Sequence, residues 1–158
     1  MAHIEYFKLQ AKNLFRDYKT QTSYIDDVDG NSYYKYDPKY FDIDSIFSEY
    51  HGFFDEGWDE GNLSLMKIQH LFAYMLGFEK WADLLKASET ELELAKLLWD
   101  NQHKIRLEDW KMYIAEAERD NETTFDPESR LEMFKLVIVN AEGLISLSSD
   151  YRLNRRLG

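Results

Sequence analysis

Apolar positions recur at helical spacing through most of the chain, and this pattern predicts a mainly α-helical protein. In the first segment, Phe7, Ala11, Leu14 and Tyr18 follow one another at intervals of three or four residues. Residues spaced in this way lie on one face of an α-helix. We therefore expect a first helix over roughly residues 3–19.

The most regular stretch covers residues 64–87 and predicts a helical hairpin. Ser64 is suited to cap a helix whose apolar face continues to residue 76. Gly77 then ends that helix, because glycine reaches the left-handed backbone conformation without steric cost. Phe78 and Trp81 follow directly and begin the apolar side of a second, short helix.

Further helix starts are marked by polar capping residues and by proline. The segment from Ser88 to Glu91 is a capping box, in which each side chain accepts a backbone N–H group. An Asp-Pro pair places a capping side chain before a proline at the first helical position. The predicted helices begin at Asp37-Pro38, at Ser88, near Leu107 and at Asp126-Pro127.

Residues 20–36 have a different pattern, with tyrosines on both sides of an aspartate-rich turn. Asp29-Gly30 favours a tight turn with positive φ. The pattern predicts a small β-hairpin near residues 22–36, and an irregular loop is the alternative.

Together these elements predict an all-α orthogonal bundle of six or seven helices, with or without the small hairpin near residues 22–36. Residues 1–145 are expected to form a single helical domain, and residues 146–158 a polar, frayed C-terminal tail. The expected core contains large apolar side chains from most of the helices: Phe7, Leu14, Phe72, Phe78, Trp81, Leu98, Trp99, Trp110 and Phe134.

Charge and composition narrow the classes of function. The 158 residues include 30 acidic and 19 basic side chains, a formal net charge of −11, and no cysteine. Disulfides and thiolate chemistry are therefore excluded. The acidic field disfavours direct binding to nucleic acid, because a phosphate backbone is repelled, and it suits a basic protein partner.

The apolar runs of the sequence are short, and this bears on where in the cell the protein is expected. Glu5, Lys8 and Lys12 interrupt the N-terminal segment, which is unlike a secretory signal. No stretch approaches the roughly 20 apolar residues that span a bilayer. We expect a cytoplasmic protein with no membrane partner.

A resemblance is carried by residues 65–85, where a helix is followed by Gly-Phe, two residues, Trp, two residues and Leu. This stretch resembles a bacterial helical module found ahead of ankyrin repeats and in small proteins labelled as glyoxalase-related. The resemblance implies a helical architecture and a bacterial origin, without a particular chemistry, and the whole chain is similar to a family of small Bacteroidetes proteins. The matching positions are Leu65, Gln69, Ala73, Gly77, Phe78, Trp81 and Leu84.

Metal and catalytic motifs are absent from the sequence. The four histidines, His3, His51, His70 and His103, do not form the closely spaced pairs typical of zinc sites. A calcium loop with Gly30 at its sixth position would begin at Ile25 and end at Tyr36, which are not carboxylate ligands. We therefore expect no metal or cofactor, and the sequence favours a non-enzyme. His70 is interpreted as a partly buried structural residue.

A second acidic loop, at residues 55–60, surrounds Trp58 and suggests a binding surface. An exposed tryptophan within a polar rim is a typical interface anchor. The leading hypothesis is a non-catalytic protein-interaction module, such as an inhibitor, an immunity protein or an antitoxin. The alternatives are an acidic mimic of nucleic acid that blocks a DNA-binding protein, and an enzyme of unrecognised type that uses carboxylates. The candidate partner-binding residues are Tyr33, Tyr36, Asp55, Glu56, Trp58, Asp59 and Glu60.

Overall fold

The computed structural model describes residues 2–54, 58–146 and 150–153. Within these residues the chain is mainly helical, with one two-stranded antiparallel hairpin, as the sequence predicts. The orthogonal arrangement of the helices stays a prediction. The elements are α1 (Ala2–Tyr18), β1 (Thr22–Ile25), β2 (Ser32–Lys35), α2 (Ile43–Glu49), α3 (Leu65–Met75), α4 (Trp81–Lys86), α5 (Glu89–Asp100), α6 (Leu107–Asp120) and α7 (Pro127–Phe134).

Short irregular helices fill some of the connections. Two 3-10 turns, at His51–Phe53 and Glu60–Asn62, lie between α2 and α3, and a π-helical turn at Lys135–Val139 continues α7. None of the helices in the described residues combines the length and the apolar character that crossing a membrane requires.

The predicted helix starts at Ser64, Ser88 and Asp126 are confirmed. The Ser64 hydroxyl accepts the Lys67 N–H at 3.1 Å, and the Asp126 carboxylate accepts the Ser129 N–H at 2.8 Å. At Ser88 both hydrogen bonds of the capping box are present. These contacts join residues three apart, so the sequence pattern alone is enough to specify them.

The helix start predicted at Asp37-Pro38 is wrong. Helix α2 begins at Ile43, and its capping residue is Asp42, whose carboxylate accepts the Ser45 N–H at 3.2 Å. Residues 38–41 are not helical: the Phe41 N–H, which a helix starting at Pro38 would donate to the Asp37 carbonyl, is bound elsewhere with the N–H groups of Lys39 and Tyr40.

Those three N–H groups are donated to the carboxylate of Asp17 on α1. Asp17 accepts the N–H of Lys39 at 2.9 Å and those of Tyr40 and Phe41 at 2.7 Å each. The Asp17 side chain is only 2% exposed. A buried carboxylate is tolerated when several hydrogen bonds satisfy its oxygens, and hydrogen bonds to charged groups are the stronger kind.

The segment fixed by Asp17 in turn holds part of the C-terminal region. Phe41 forms an antiparallel bridge with Arg152, and the Asp42 N–H is donated to the Tyr151 carbonyl at 2.8 Å. Tyr151 is buried. The frayed tail expected over residues 146–158 is therefore corrected at residues 150–153, because backbone pairing and an aromatic anchor hold them in place.

Trp99 is at the centre of the main core. Its ring meets those of Phe72, Phe41, Tyr151 and Phe7 at centroid distances of 5.5, 5.9, 6.1 and 6.3 Å, all with steep interplanar angles. Edge-to-face contacts of this kind stabilise the fold beyond what the burial of apolar area alone provides. Helix α1, helix α3 and the segment bound by Asp17 thus all pack against one side chain of α5.

The expected core is recovered in part. Six of its members are buried: Phe7, Leu14, Phe72, Trp99, Trp110 and Phe134. Phe78, Trp81 and Leu98 are only half-buried. Trp110 and Phe134 belong to a second cluster between α6 and α7, separate from the main core. Trp81 is half-buried because it starts α4, a helix of six residues of which only Leu84 is fully covered.

Replacing Trp99 should destabilise the protein more than replacing Trp81. We expect Trp99→Ala to lower the free energy of unfolding by about 3–5 kcal/mol, the usual cost of emptying a buried aromatic site. Trp81→Ala should cost roughly half as much, since burial energy scales with the apolar area covered. Urea denaturation of both variants measures the difference, and an equal or larger loss for Trp81→Ala would contradict this description of the core.

Removing the Asp17 carboxylate should also destabilise the fold strongly. Asp17→Ala leaves three N–H groups without their acceptor, and we expect a loss of about 3 kcal/mol or more in unfolding free energy. The control is Asp120→Ala, at an exposed position at the end of α6, which should change stability by less than about 0.5 kcal/mol. Similar values for the two variants would show that the Asp17 contacts contribute little.

Candidate functional site

The β-hairpin and the segment that follows Trp58 are joined by a small hydrogen-bond network. The Tyr36 hydroxyl donates to the Glu60 carboxylate at 2.5 Å. The Gln21 carboxamide donates to both the Tyr36 oxygen and the Glu60 carbonyl, at 2.9 Å each. The Tyr18 hydroxyl donates to the same carbonyl at 2.7 Å. The structure thus brings together two of the predicted binding residues, Tyr36 and Glu60, as internal supports for the hairpin.

Both phenols in this network are held in the protonated form. Burial, followed by the hydrogen bond to Glu60, raises the pKa of Tyr36 well above its ordinary value. Burial is also the main cause of the raised pKa of Tyr18. A protonated phenol can donate its hydrogen bond throughout the usual pH range, so the network persists there.

Trp58 differs from the exposed residue that the sequence suggests, whereas Asp59 is exposed. Trp58 is half-buried and stacks on Phe54 with ring centroids 4.2 Å apart, while its contact with Phe47 is edge-on at 5.6 Å. Asp59 accepts the Gly61 N–H at 3.0 Å. The expectation of an exposed Trp58 is therefore corrected, because neighbouring aromatic rings cover it. Asp55 and Glu56 lie outside the described residues.

The tip of the hairpin is fixed by its own aspartates. Asp26 accepts the N–H groups of Val28 and Asp29, at 2.7 and 3.2 Å. Asp29 accepts the Asn31 N–H and a short hydrogen bond from the Tyr33 hydroxyl. These contacts, led by that of Tyr33, hold the pKa of Asp29 below its ordinary value. The aspartates of this turn act as conformational supports.

Several apolar side chains remain uncovered on this fixed hairpin. Ile25 is 69% exposed and Val28 is 96% exposed, while Tyr24 and Tyr33 form an exposed pair with ring centroids 6.0 Å apart. We call these four residues, with the exposed Asp27 between them, the hairpin surface. Tyr33 was predicted from the sequence, whereas Tyr24, Ile25 and Val28 were missed. Their exposure belongs to a two-stranded sheet in which all four residues of β1 are exposed.

His70 has a structural role. Its Nδ1 accepts the backbone N–H of Trp81 at 3.1 Å and so satisfies the first turn of α4. This contact fits the partly buried structural residue that the sequence predicts. Within the part of the chain that the structure describes, no three histidine, aspartate or glutamate side chains are grouped to hold a metal ion.

Comparisons with known proteins give no relative. No protein-family model, no curated protein and no solved structure matches this chain. The resemblance of residues 65–85 to a bacterial helical module therefore stays a prediction, and the function is inferred from the geometry alone.

The Tyr36 network should make stability depend on alkaline pH. The pKa of Tyr36 in the folded protein lies above its ordinary value of 10.0. The stabilisation that this phenol provides is therefore complete below pH 10.0 and is lost progressively as the pH rises further. We expect Tyr36→Phe to be less stable than the parent at neutral pH and the two stabilities to converge above pH 10.0. Chemical denaturation across this range measures both curves, and curves that stay parallel would contradict the assignment.

Proposed function

We propose that the chain is a non-catalytic protein-interaction module of the bacterial cytoplasm that binds a basic protein partner through the hairpin surface. An inhibitor, an immunity protein or an antitoxin is the type of protein that works in this way. The observation that carries the proposal is a fixed hairpin that exposes Tyr24, Ile25, Val28 and Tyr33 among carboxylates.

The apolar part of the hairpin surface supplies anchors. Tyrosine is enriched at interface hot spots because its ring covers a large area at a small cost in conformational entropy. Tyr24 and Tyr33 are neighbours on opposite strands, at paired positions of the ladder. Val28 at the tip is almost fully exposed, as suits a side chain that enters a pocket on a partner.

The charges around these anchors favour a basic partner. Asp26, Asp27 and Asp29 lie within the turn of the hairpin, and the chain as a whole carries a formal charge of −11. Complementary charges at the edge of an interface increase the rate of association and select among partners. One basic residue, Lys35, adjoins these aspartates, and its Nζ lies over the Tyr24 ring, 5.8 Å from the ring centroid.

The supports beneath the hairpin reduce the cost of binding. A surface that is already ordered loses less conformational entropy when a partner binds. The Tyr36–Glu60 contact and the Asp26 and Asp29 turn contacts provide that order. Tyr36 and Glu60, two of the predicted binding residues, are half-buried and belong to this support.

Charge reversal at the hairpin should weaken partner capture. We expect the immobilised protein to recover a basic protein from a bacterial lysate in stoichiometric amount, with less recovery at high salt. Asp27→Lys should reduce that recovery, with a loss of about 1 kcal/mol in binding free energy, because an exposed charge contributes at the edge of the interface. The matched control is Glu116→Lys on the exposed side of α6.

A second pair of variants tests the apolar anchors. Val28→Ser should reduce recovery of the same protein, whereas Met112→Ser, at another exposed apolar position, should not. Recovery of no basic protein would refute the proposal. Equal recovery by the hairpin variants and their controls would place the binding surface elsewhere.

A further inference from the structure

A polar cleft lies between helices α1 and α5, next to the segment fixed by Asp17. Its volume is about 610 Å³, within the usual range for small-molecule sites. Phe41 and Trp99 are buried aromatic members of its wall, and Arg152 closes one side. The cleft shares no residue with the hairpin surface.

Asn13 is the unusual residue of this cleft. Its side chain lines the cleft and is only 5% exposed. Within the described part of the chain, no side-chain hydrogen bond of Asn13 is formed. The carboxamide opens onto the cleft, where solvent reaches its polar atoms. A ligand in the cleft would take the place of that solvent as the hydrogen-bond partner of Asn13.

Asn13 belongs to a row of polar groups on α1. Tyr6, Gln10 and Asn13 are spaced i, i+4 and i+7, so they lie on one face of the helix, and all three line the cleft. The Tyr6 oxygen accepts the Trp99 indole N–H at 3.0 Å, and its own proton has no acceptor within the described residues. The row therefore presents alternating donors and acceptors toward the cleft.

The charged groups around the cleft are already paired. Lys96 donates to both oxygens of Asp100, at 2.7 and 2.8 Å. Arg152 donates twice to Asp150, at 3.1 and 2.7 Å. An anionic ligand would have to compete with these carboxylates for each cation. The charge arrangement therefore favours a ligand without net charge.

We propose that this cleft binds a purine nucleobase or nucleoside, an uncharged planar heterocycle with adjacent donor and acceptor groups. The row formed by Tyr6, Gln10 and Asn13 would read its polar edge, as asparagine and glutamine carboxamides read adenine through two hydrogen bonds. The half-buried rings of Tyr6 and Tyr40 also line the cleft and supply apolar contact for a planar ligand.

Calorimetric titration with adenosine and guanosine tests this assignment. We expect at least one nucleoside to bind the parent protein. Asn13→Leu should weaken the binding of that nucleoside by about tenfold or more. Gln10→Leu should also weaken binding. The matched control, Gln69→Leu on α3, should bind like the parent. AMP should bind no more tightly than adenosine, because the cations of the cleft are already neutralised.

Thermal unfolding of the same variants separates ligand binding from folding. Asn13→Leu should melt at the same temperature as the parent or higher, since the carboxamide that it removes makes no hydrogen bond to the described residues. A lower melting temperature would show that Asn13 has a structural partner, and would overturn the argument. Absence of binding by both nucleosides, unchanged binding by Asn13→Leu and Gln10→Leu, or tighter binding of AMP or inorganic phosphate would each refute the proposal.

Discussion

The fold depends on one buried carboxylate. Asp17, near the end of α1, accepts the N–H groups of Lys39, Tyr40 and Phe41 and so fixes the chain between the hairpin and α2. Phe41 is thereby brought against Trp99, the central side chain of the core. The same segment pairs with Arg152, so the contact also organises the C-terminal residues 150–153. A single side chain satisfies three backbone donors, of which that of Phe41 is buried.

Helix α1 links this support to both proposed surfaces. Tyr18, next to Asp17 in the chain, donates to Glu60 within the network that steadies the hairpin. Asn13, one turn earlier, faces the cleft whose wall includes Phe41. One face of α1 is packed in the core, and the residues beside it position a hairpin and line a cleft. This division of roles explains why polar residues such as Asn13 and Asp17 are buried on an otherwise amphipathic helix.

The sequence predicts the elements whose signals are local and fails where the partner is distant. The Ser88 capping box and the stop at Gly77 were predicted because they act within one turn. The start at Asp37-Pro38 was wrong because a carboxylate more than 20 residues away binds the following amides. At the candidate site, residue type identified Tyr36 and Glu60, but their mutual contact, and hence their supporting role, depends on tertiary packing. The unpartnered state of Asn13 has no signal in the sequence.

Native-state hydrogen exchange tests the central role of Asp17 most directly, because it measures the opening of individual amides without altering the protein. If the carboxylate holds this segment as described, the amides of Lys39, Tyr40 and Phe41 should exchange only on global unfolding, with the same free energy as the core of α5. The Leu153 amide, which is donated to the Tyr40 carbonyl at 2.9 Å, should be protected with them. Exchange of these amides through local opening at much lower free energy would contradict the account.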